Sequence, residues 1–265
     1  MKRLFVLALL VLSTAIAKDA SLKDKLTIIT TTSPMPSNPN TDLLQITQGS
    51  LFEIEGFEDC KKIIAFDGVH PRQAHMAEAY EEYKKNMIEL TKTHPHFQNT
   101  ELVFCKEHRH LAMSLKNAMD RVTTPFVFVH QHDFKIRRPK DIDAFGIIRS
   151  MEDNPNLKHI RLHRRWNNVF RMDYYVDDKI DGPAYVPLTR TFGWSDNDHF
   201  TRKDYYDNFI FPKIKKPWPM EWALNPLEKE MTMEDPDNHR LFGTYLYGKR
   251  GDGRYIIHLN GKRWE

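Results

Sequence analysis

Thr123-Thr124-Pro125-Phe126-Val127-Phe128-Val129-His130-Gln131-His132-Asp133 joins an apolar run to four polar residues near the middle of the chain. Its uninterrupted apolar run, Phe126 to Val129, has the pattern of a β-strand buried on both faces. The run then stops abruptly in polar groups. His130, His132 and Asp133 bring imidazoles and a carboxylate to the carboxyl end of the strand, where open α/β sheets present their ligands, and such groups can hold a metal. The blander reading is that these residues only cap the strand.

Working back towards the amino terminus, the same punctuation repeats. Leu26 to Thr32 is β-branched and reads as a first strand, stopped by the Pro-rich turn Ser33 to Pro39. Thr41-Asp42 can cap a helix running to about Leu51. Lys61 to Phe66 is a second strand ending in Asp67-Gly68. A helix follows over about Gln73 to Thr93, with Met76, Ala79, Tyr80, Tyr83, Met87 and Leu90 along one side. Glu101 to Cys105 is a third strand, followed by a polar turn and a helix from about Leu111 to Arg121. Strands alternating with helices predict βαβ units, an α/β class and a mostly parallel, Rossmann-like sheet flanked by helices. The first βα turn has no GxGxxG, so hydride transfer with a dinucleotide has no support.

Beyond Asp133 the pattern loosens. Asp141 to Asp153 reads as a helix and Lys158 to Leu162 as a strand. Arg164 to Lys216 has little periodicity but many aromatic, His and Asp residues, the composition of a binding face. Gly243 to Tyr247 and Tyr255 to Leu259, separated by the Gly-rich Gly248 to Gly253, read as a terminal β-hairpin.

Size and charge bound the rest. A chain of 265 residues, 40% hydrophobic, can bury one sizeable core, so residues 18–265 are expected to form a single domain. The opening MKRLFVLALLVLSTAIA has a basic start, an apolar run and a small-x-small end, which predicts a signal peptide over 1–17. Its apolar run is shorter than the roughly 20 residues that span a bilayer, leaving a short anchor as the second choice; membrane contact is expected only in that case. The net charge of +3 falls to +1 once Lys2 and Arg3 leave with the leader, so charge implies no nucleic-acid partner. Cys60 opens one strand and Cys105 ends the next; on parallel neighbours the thiols lie at opposite ends and are expected to be free.

The order of LTIITTTSPMPSNPNTDLL, IIAFDG, HLAMSLKNAMDRVTTPFVFVHQHD and GWSDNDHF resembles the GT-A glycosyltransferases, most closely those of the broad family-2 type. That resemblance covers about Leu26 to Asp133 well and the remainder loosely. It implies transfer of a sugar from a nucleotide-diphosphate donor to a glycan, lipid or protein acceptor. In the family, the fourth strand ends in a DxD-type motif whose acid holds a divalent metal, Mn²⁺ or Mg²⁺, on the donor diphosphate. Here the motif diverges to His130-Gln131-His132-Asp133, with no first aspartate, so metal binding carries to Asp133 alone, with His132 and His130 weaker candidates and the late His258 a candidate to complete the shell. The resemblance further implies that Thr31, Ser33 and Asp67 meet the nucleoside. Asn117 would face the donor, and Arg109 and His110 stand where they could reach a phosphate.

An inverting reaction needs a general base, for which Asp196 is the first candidate and Glu221 the second; Trp194 is placed to stack a sugar ring. The leader, joined to a reaction that consumes nucleotide sugars, points to the lumen of the secretory pathway or to secretion.

Two other classes stay open. In a metal-dependent hydrolase of phosphoesterase type, His130, His132, Asp133 and His199 would share one or two metals. In a catalytically silent secreted protein, Trp166, Trp194, Trp218 and Trp222 would hold carbohydrate.

Overall fold

The computed structural model describes residues 21–168, 173, 176–177, 179–214 and 219–259. The leader over 1–17 lies outside them, as does Trp218. In chain order the elements are β1 (Leu26–Thr32), α1 (Asp42–Phe52), β2 (Lys61–Phe66), α2 (Ala77–Thr93), β3 (Thr100–Phe104), α3 (His110–Met119) and β4 (Phe126–Gln131). There follow β5 (Phe134–Ile136), α4 (Ala144–Asp153), β6 (His159–Arg161), β7 (Leu188–Arg190), β8 (His199–Arg202), the short α5 (Lys203–Tyr205), α6 (Met220–Glu234), α7 (His239–Phe242), β9 (Thr244–Tyr247) and β10 (Ile256–His258). Among the described residues no helix is long and apolar enough to cross a membrane.

Eight strands form one mostly parallel sheet, in the order β3-β2-β1-β4-β8-β6-β9-β7. The first four are parallel throughout, as the alternation of strands and helices predicted. In β4 the apolar run works on both sides at once, because successive side chains point to opposite faces. Phe126 and Phe128 join one core layer with Ile147, Ile148 and Met151 of α4. Val127 and Val129 join the other, with Ala112 and Leu115 of α3 and Met220 and Leu224 of α6. The Phe128 ring is wedged between Phe57 and Phe200, with centroids at 5.2 and 4.7 Å.

β1 is buried along its whole length although four of its seven residues are threonines. A buried hydroxyl is costly unless paired. Thr27 Oγ1 pairs with Thr124 Oγ1 at 2.7 Å, and Thr30 Oγ1 accepts from Gln48 of α1 at 2.8 Å. On α2, Tyr80, Tyr83 and Met87 are the buried stripe, packing on Ile64 and Phe66 of β2. The two cysteines are free and buried, and burial pushes the Cys60 thiol up to about 12.

The loosely patterned segment differs from expectation. Instead of forming only a binding face, it supplies β8, which lies between β4 and β6 in mid-sheet and is antiparallel to both. Its lack of apolar periodicity has a physical reason: apart from Phe200, its buried residues are polar and paired. His199 donates from Nδ1 to the Asn197 carbonyl at 2.7 Å and accepts at Nε2 from the Tyr206 hydroxyl at 2.8 Å. Both terminal strands form, but with partners other than each other. β9 runs parallel to β6 and antiparallel to β7, while β10 makes the terminal antiparallel pair with β5.

Candidate functional site

In this sheet the strand order turns round at β1 and β4: β2 and β3 lie beyond β1 on one side, and the later strands lie beyond β4 on the other. Such a switch point opens a crevice at the carboxyl ends of the two strands. Thr31, Ser33 and Gln131 to Asp133 therefore stand at its rim, Thr31 in register with Gln131.

Asp133 and His258 are far apart in sequence and adjacent in space. The β5–β10 pairing sets His258 opposite Phe134, and the Leu259 amide donates to the Asp133 carbonyl at 2.6 Å. Their side chains then meet, Asp133 Oδ2 lying 2.9 Å from His258 Nε2. The other carboxylate oxygen, Asp133 Oδ1, is buried and has no partner. An orphaned anionic acceptor beside an imidazole nitrogen fits a divalent cation, with the remaining coordination open to ligand oxygens and water. Among the described residues no cluster of three or more His, Cys, Asp or Glu side chains is arranged to hold a metal.

The neighbouring histidines do other work. His130 is fully buried with Nδ1 2.7 Å from Asp198 Oδ2, locking β4 to the segment before β8. The backbone amide of Gln131 donates to Asp198 Oδ1 at 3.0 Å. His132 donates from Nδ1 to the Thr31 carbonyl at 3.1 Å, and burial holds its pKa below the usual imidazole value, leaving the ring neutral beside the crevice. With His130 tied to Asp198 and His199 to Tyr206, the shared-metal set of the hydrolase reading does not assemble.

On the β2 side, Asp67 Oδ1 accepts from the amides of Gly68 at 2.9 Å and Arg109 at 2.8 Å, and Oδ2 lies 2.8 Å from His108 Nδ1. Gly68 is required for close approach, though to chain rather than to ligand: a Cβ there would come within 2.1 Å of the Glu107 backbone. The Arg109 guanidinium faces Glu107 at 3.5 Å in an exposed pair. His108 is a rim residue that sequence patterning missed, having no periodicity to mark it. Thr31 is nearly buried, its hydroxyl 3.4 Å from the His130 carbonyl. Asn117 donates to Cys105 Sγ at 3.3 Å, tying α3 to the end of β3.

The two candidate bases come together near the end of β4. The Asp196 amide donates to Glu221 Oε1 at 3.1 Å, and the Ser195 hydroxyl donates to the same oxygen. Gln131 Nε2 donates to the Asp196 carbonyl at 2.9 Å, linking this pair to the end of β4. Burial, reinforced by the neighbouring Glu221 charge, pushes Asp196 up to about 7. That is the range in which a carboxylate exchanges a proton near neutrality. Ser195 was not singled out by the sequence; only its place in WSDND pointed towards it. Trp194 differs from expectation: it is 1% exposed, packed on His159 at 5.1 Å, and offers no open face to a sugar. Among the described residues Trp166 and Trp222 are the exposed indoles, at 67% and 69%.

Glu221 also lines a cavity of about 1000 Å³ that runs from Ser195 past the end of β6 to Arg254. No family profile and no curated protein matches this chain. Solved structures do. S. aureus TarS 1-349 in complex with UDP-GlcNAc is similar with a TM-score of 0.51 and 11% identity, over 91% of this chain and 59% of that one. A second structure of TarS 1-349 is similar at 0.50 and 12%, over 89% and 60%. The chain thus spans about three fifths of the length of these structures. At that identity the likeness speaks for architecture, and the architecture is the α/β, mostly parallel sheet of the GT-A type.

Proposed function

We propose that this chain is a glycosyltransferase that moves a sugar from a nucleotide-diphosphate donor to an acceptor hydroxyl. The observation that carries the reading is the meeting of Asp133 and His258 beside the switch-point crevice, with Asp133 Oδ1 unpartnered. The fold shared with TarS, which has been crystallised with UDP-GlcNAc, supports a donor of that chemical class.

Asp133 and His258 would hold Mn²⁺ or Mg²⁺, which when bound neutralises the diphosphate leaving group. The chain's own residues do the rest. Thr31, Ser33 and the Asp67–His108 pair border the side of the crevice that would take the nucleoside, and Arg109 stands at the same rim. The neutral His132 closes its floor. Asp196 takes the proton of the acceptor hydroxyl as that oxygen bonds to the anomeric carbon, while the bond to the diphosphate breaks and the nucleoside diphosphate leaves. This single displacement inverts the anomeric centre. Glu221 does not compete for that proton in our account. Its charge keeps the proton affinity of Asp196 near neutrality, and the Ser195 hydroxyl holds it in place. The leader motif supports a secretory lumen as the site of action.

A thermal-shift panel of UDP- and GDP-linked sugars, with and without Mn²⁺, tests the proposal, since a ligand that binds only the native state raises its melting temperature. A rise with one nucleotide class that requires the metal is expected. No rise with any nucleotide sugar at millimolar concentration with metal present overturns it.

A further inference from the structure

The cavity beside Glu221 has a charge imbalance that transfer to a neutral hydroxyl does not require. Besides Arg138, which pairs with Asp141 at 2.6 Å, its walls carry Arg137, Arg161, Arg164, Arg165, Lys229 and Arg254. Against these stand two carboxylates, Asp173 and Glu221. Asp173 is already bonded to Arg250 at 3.1 Å and to the Phe192 amide at 3.0 Å. Glu221 is occupied by Ser195 and Asp196. No salt bridge joins Arg137, Arg161, Arg164, Arg165, Lys229 or Arg254 to a described residue. A concave wall of one sign concentrates its potential in the enclosed space and attracts anions into it.

The fold explains the convergence. Arg161 ends β6 and Arg164-Arg165 follow at once, Lys229 comes from α6, and the β5–β10 ribbon contributes Arg137 and Arg254. The cations share their cavity with Ser195 and Glu221, which are bonded to each other, and Glu221 also accepts from the Asp196 amide, so the charged wall lies beside the proposed base. Trp166, 67% exposed, stands on the same wall, next to Gly253. An open indole among guanidinium groups suits a sugar ring that carries anionic substituents, because the ring stacks while phosphate or carboxylate oxygens take forked N–H donors.

We infer that this cavity binds an anionic acceptor saccharide, one bearing phosphate or carboxylate groups near the hydroxyl that receives the sugar. Calling it the acceptor rests on the transferase reading above; the anion site itself does not.

Calorimetry on the full chain separates the two. The probes are maltotetraose, the same oligosaccharide phosphorylated at a primary hydroxyl, and tetragalacturonate. Binding of at least one charged probe roughly tenfold or more tighter than maltotetraose, weakened by added salt, is expected, and the charged probe that binds better identifies phosphate or carboxylate as the recognised group. Arg164→Gln/Arg165→Gln, at two exposed positions whose loss leaves the core intact, should remove that preference and leave the affinity for nucleotide sugar within about twofold. Equal affinity for charged and neutral probes overturns the inference. So does a double variant that loses nucleotide-sugar affinity instead, since the cavity would then be a diphosphate site. Preferential, Arg-dependent binding of a charged probe by a chain that binds no nucleotide sugar upholds the anion site and removes the transferase reading alone.

Discussion

On one side of β4 the sheet continues through β1, β2 and β3, with strands of five to seven residues, all parallel and alternating with helices. On the other side β8, β6, β9 and β7 are three or four residues long, arrive out of sequence order, and mix both directions. The long strands settle largely through continuous apolar or β-branched faces, with a few buried hydroxyl pairs along β1. Short ones bury too little to do so and are pinned by polar side chains. Glu228 of α6 accepts from the Thr244 hydroxyl of β9. His239 donates from Nε2 to the Thr191 carbonyl at 2.9 Å and accepts at Nδ1 from Arg190 Nε at 3.0 Å. Burial and that guanidinium hold His239 down at about 4, so it stays neutral, while burial pushes Glu228 up to about 7. The lesson is a division of labour: the half that would hold the nucleotide is organised by local pattern, and the half that would meet the acceptor by tertiary hydrogen bonds.

Substitutions in the two halves put that contrast to the test. The largest effect is expected from Asp196→Asn, which removes the proposed base and should lower the transfer rate by about 10³, near 4 kcal/mol, with donor affinity unchanged by calorimetry. A loss of under about tenfold would remove Asp196 from that role. Next comes Asp198→Ala, which leaves the His130 ring and the Gln131 amide unpaired in the interior; a cost of about 3 kcal/mol is expected, read as a melting temperature lower by roughly 10 °C. Glu221→Gln acts on pH dependence. The base must be ionised, so the rate rises with pH through the Asp196 titration near 7, and Glu221's charge raises that point. Removing the charge should move the acid limb to lower pH by about one unit. The smallest effect is expected in the parallel half. Thr27→Val/Thr124→Val replaces both members of a buried hydroxyl pair with apolar groups of the same shape and should shift stability by less than about 1 kcal/mol.

The same division explains how much could be read in the sequence. β1, β2 and β4 were legible because their apolar or β-branched runs are continuous and bounded by turns, and β2 falls on the residues expected of it. β8 was not: in His199-Phe200-Thr201-Arg202 only Phe200 is apolar, and the polar neighbours are satisfied by groups distant in sequence, such as the Lys158 carbonyl that accepts from Thr201 at 2.9 Å. For the candidate site, Asp133, His258, Asp196 and Glu221 were singled out by the order of motifs, and the structure brings Asp133 next to His258 and Asp196 next to Glu221. His108 and Ser195 were hidden because loop residues carry no period. The cationic cavity was hidden for another reason: its arginines are spread over three stretches of a chain whose net charge is only +3.

The central claim is that Asp133 and His258 form a two-ligand metal site on which a nucleotide sugar depends. Calorimetric titration of the donor selected by the thermal panel, with and without Mn²⁺, into the wild-type chain, Asp133→Ala and His258→Ala tests it most directly. Metal-dependent binding to the wild type, weakened roughly 10- to 100-fold in both variants, is expected. Binding that ignores the metal, or that survives both substitutions unchanged, would contradict it.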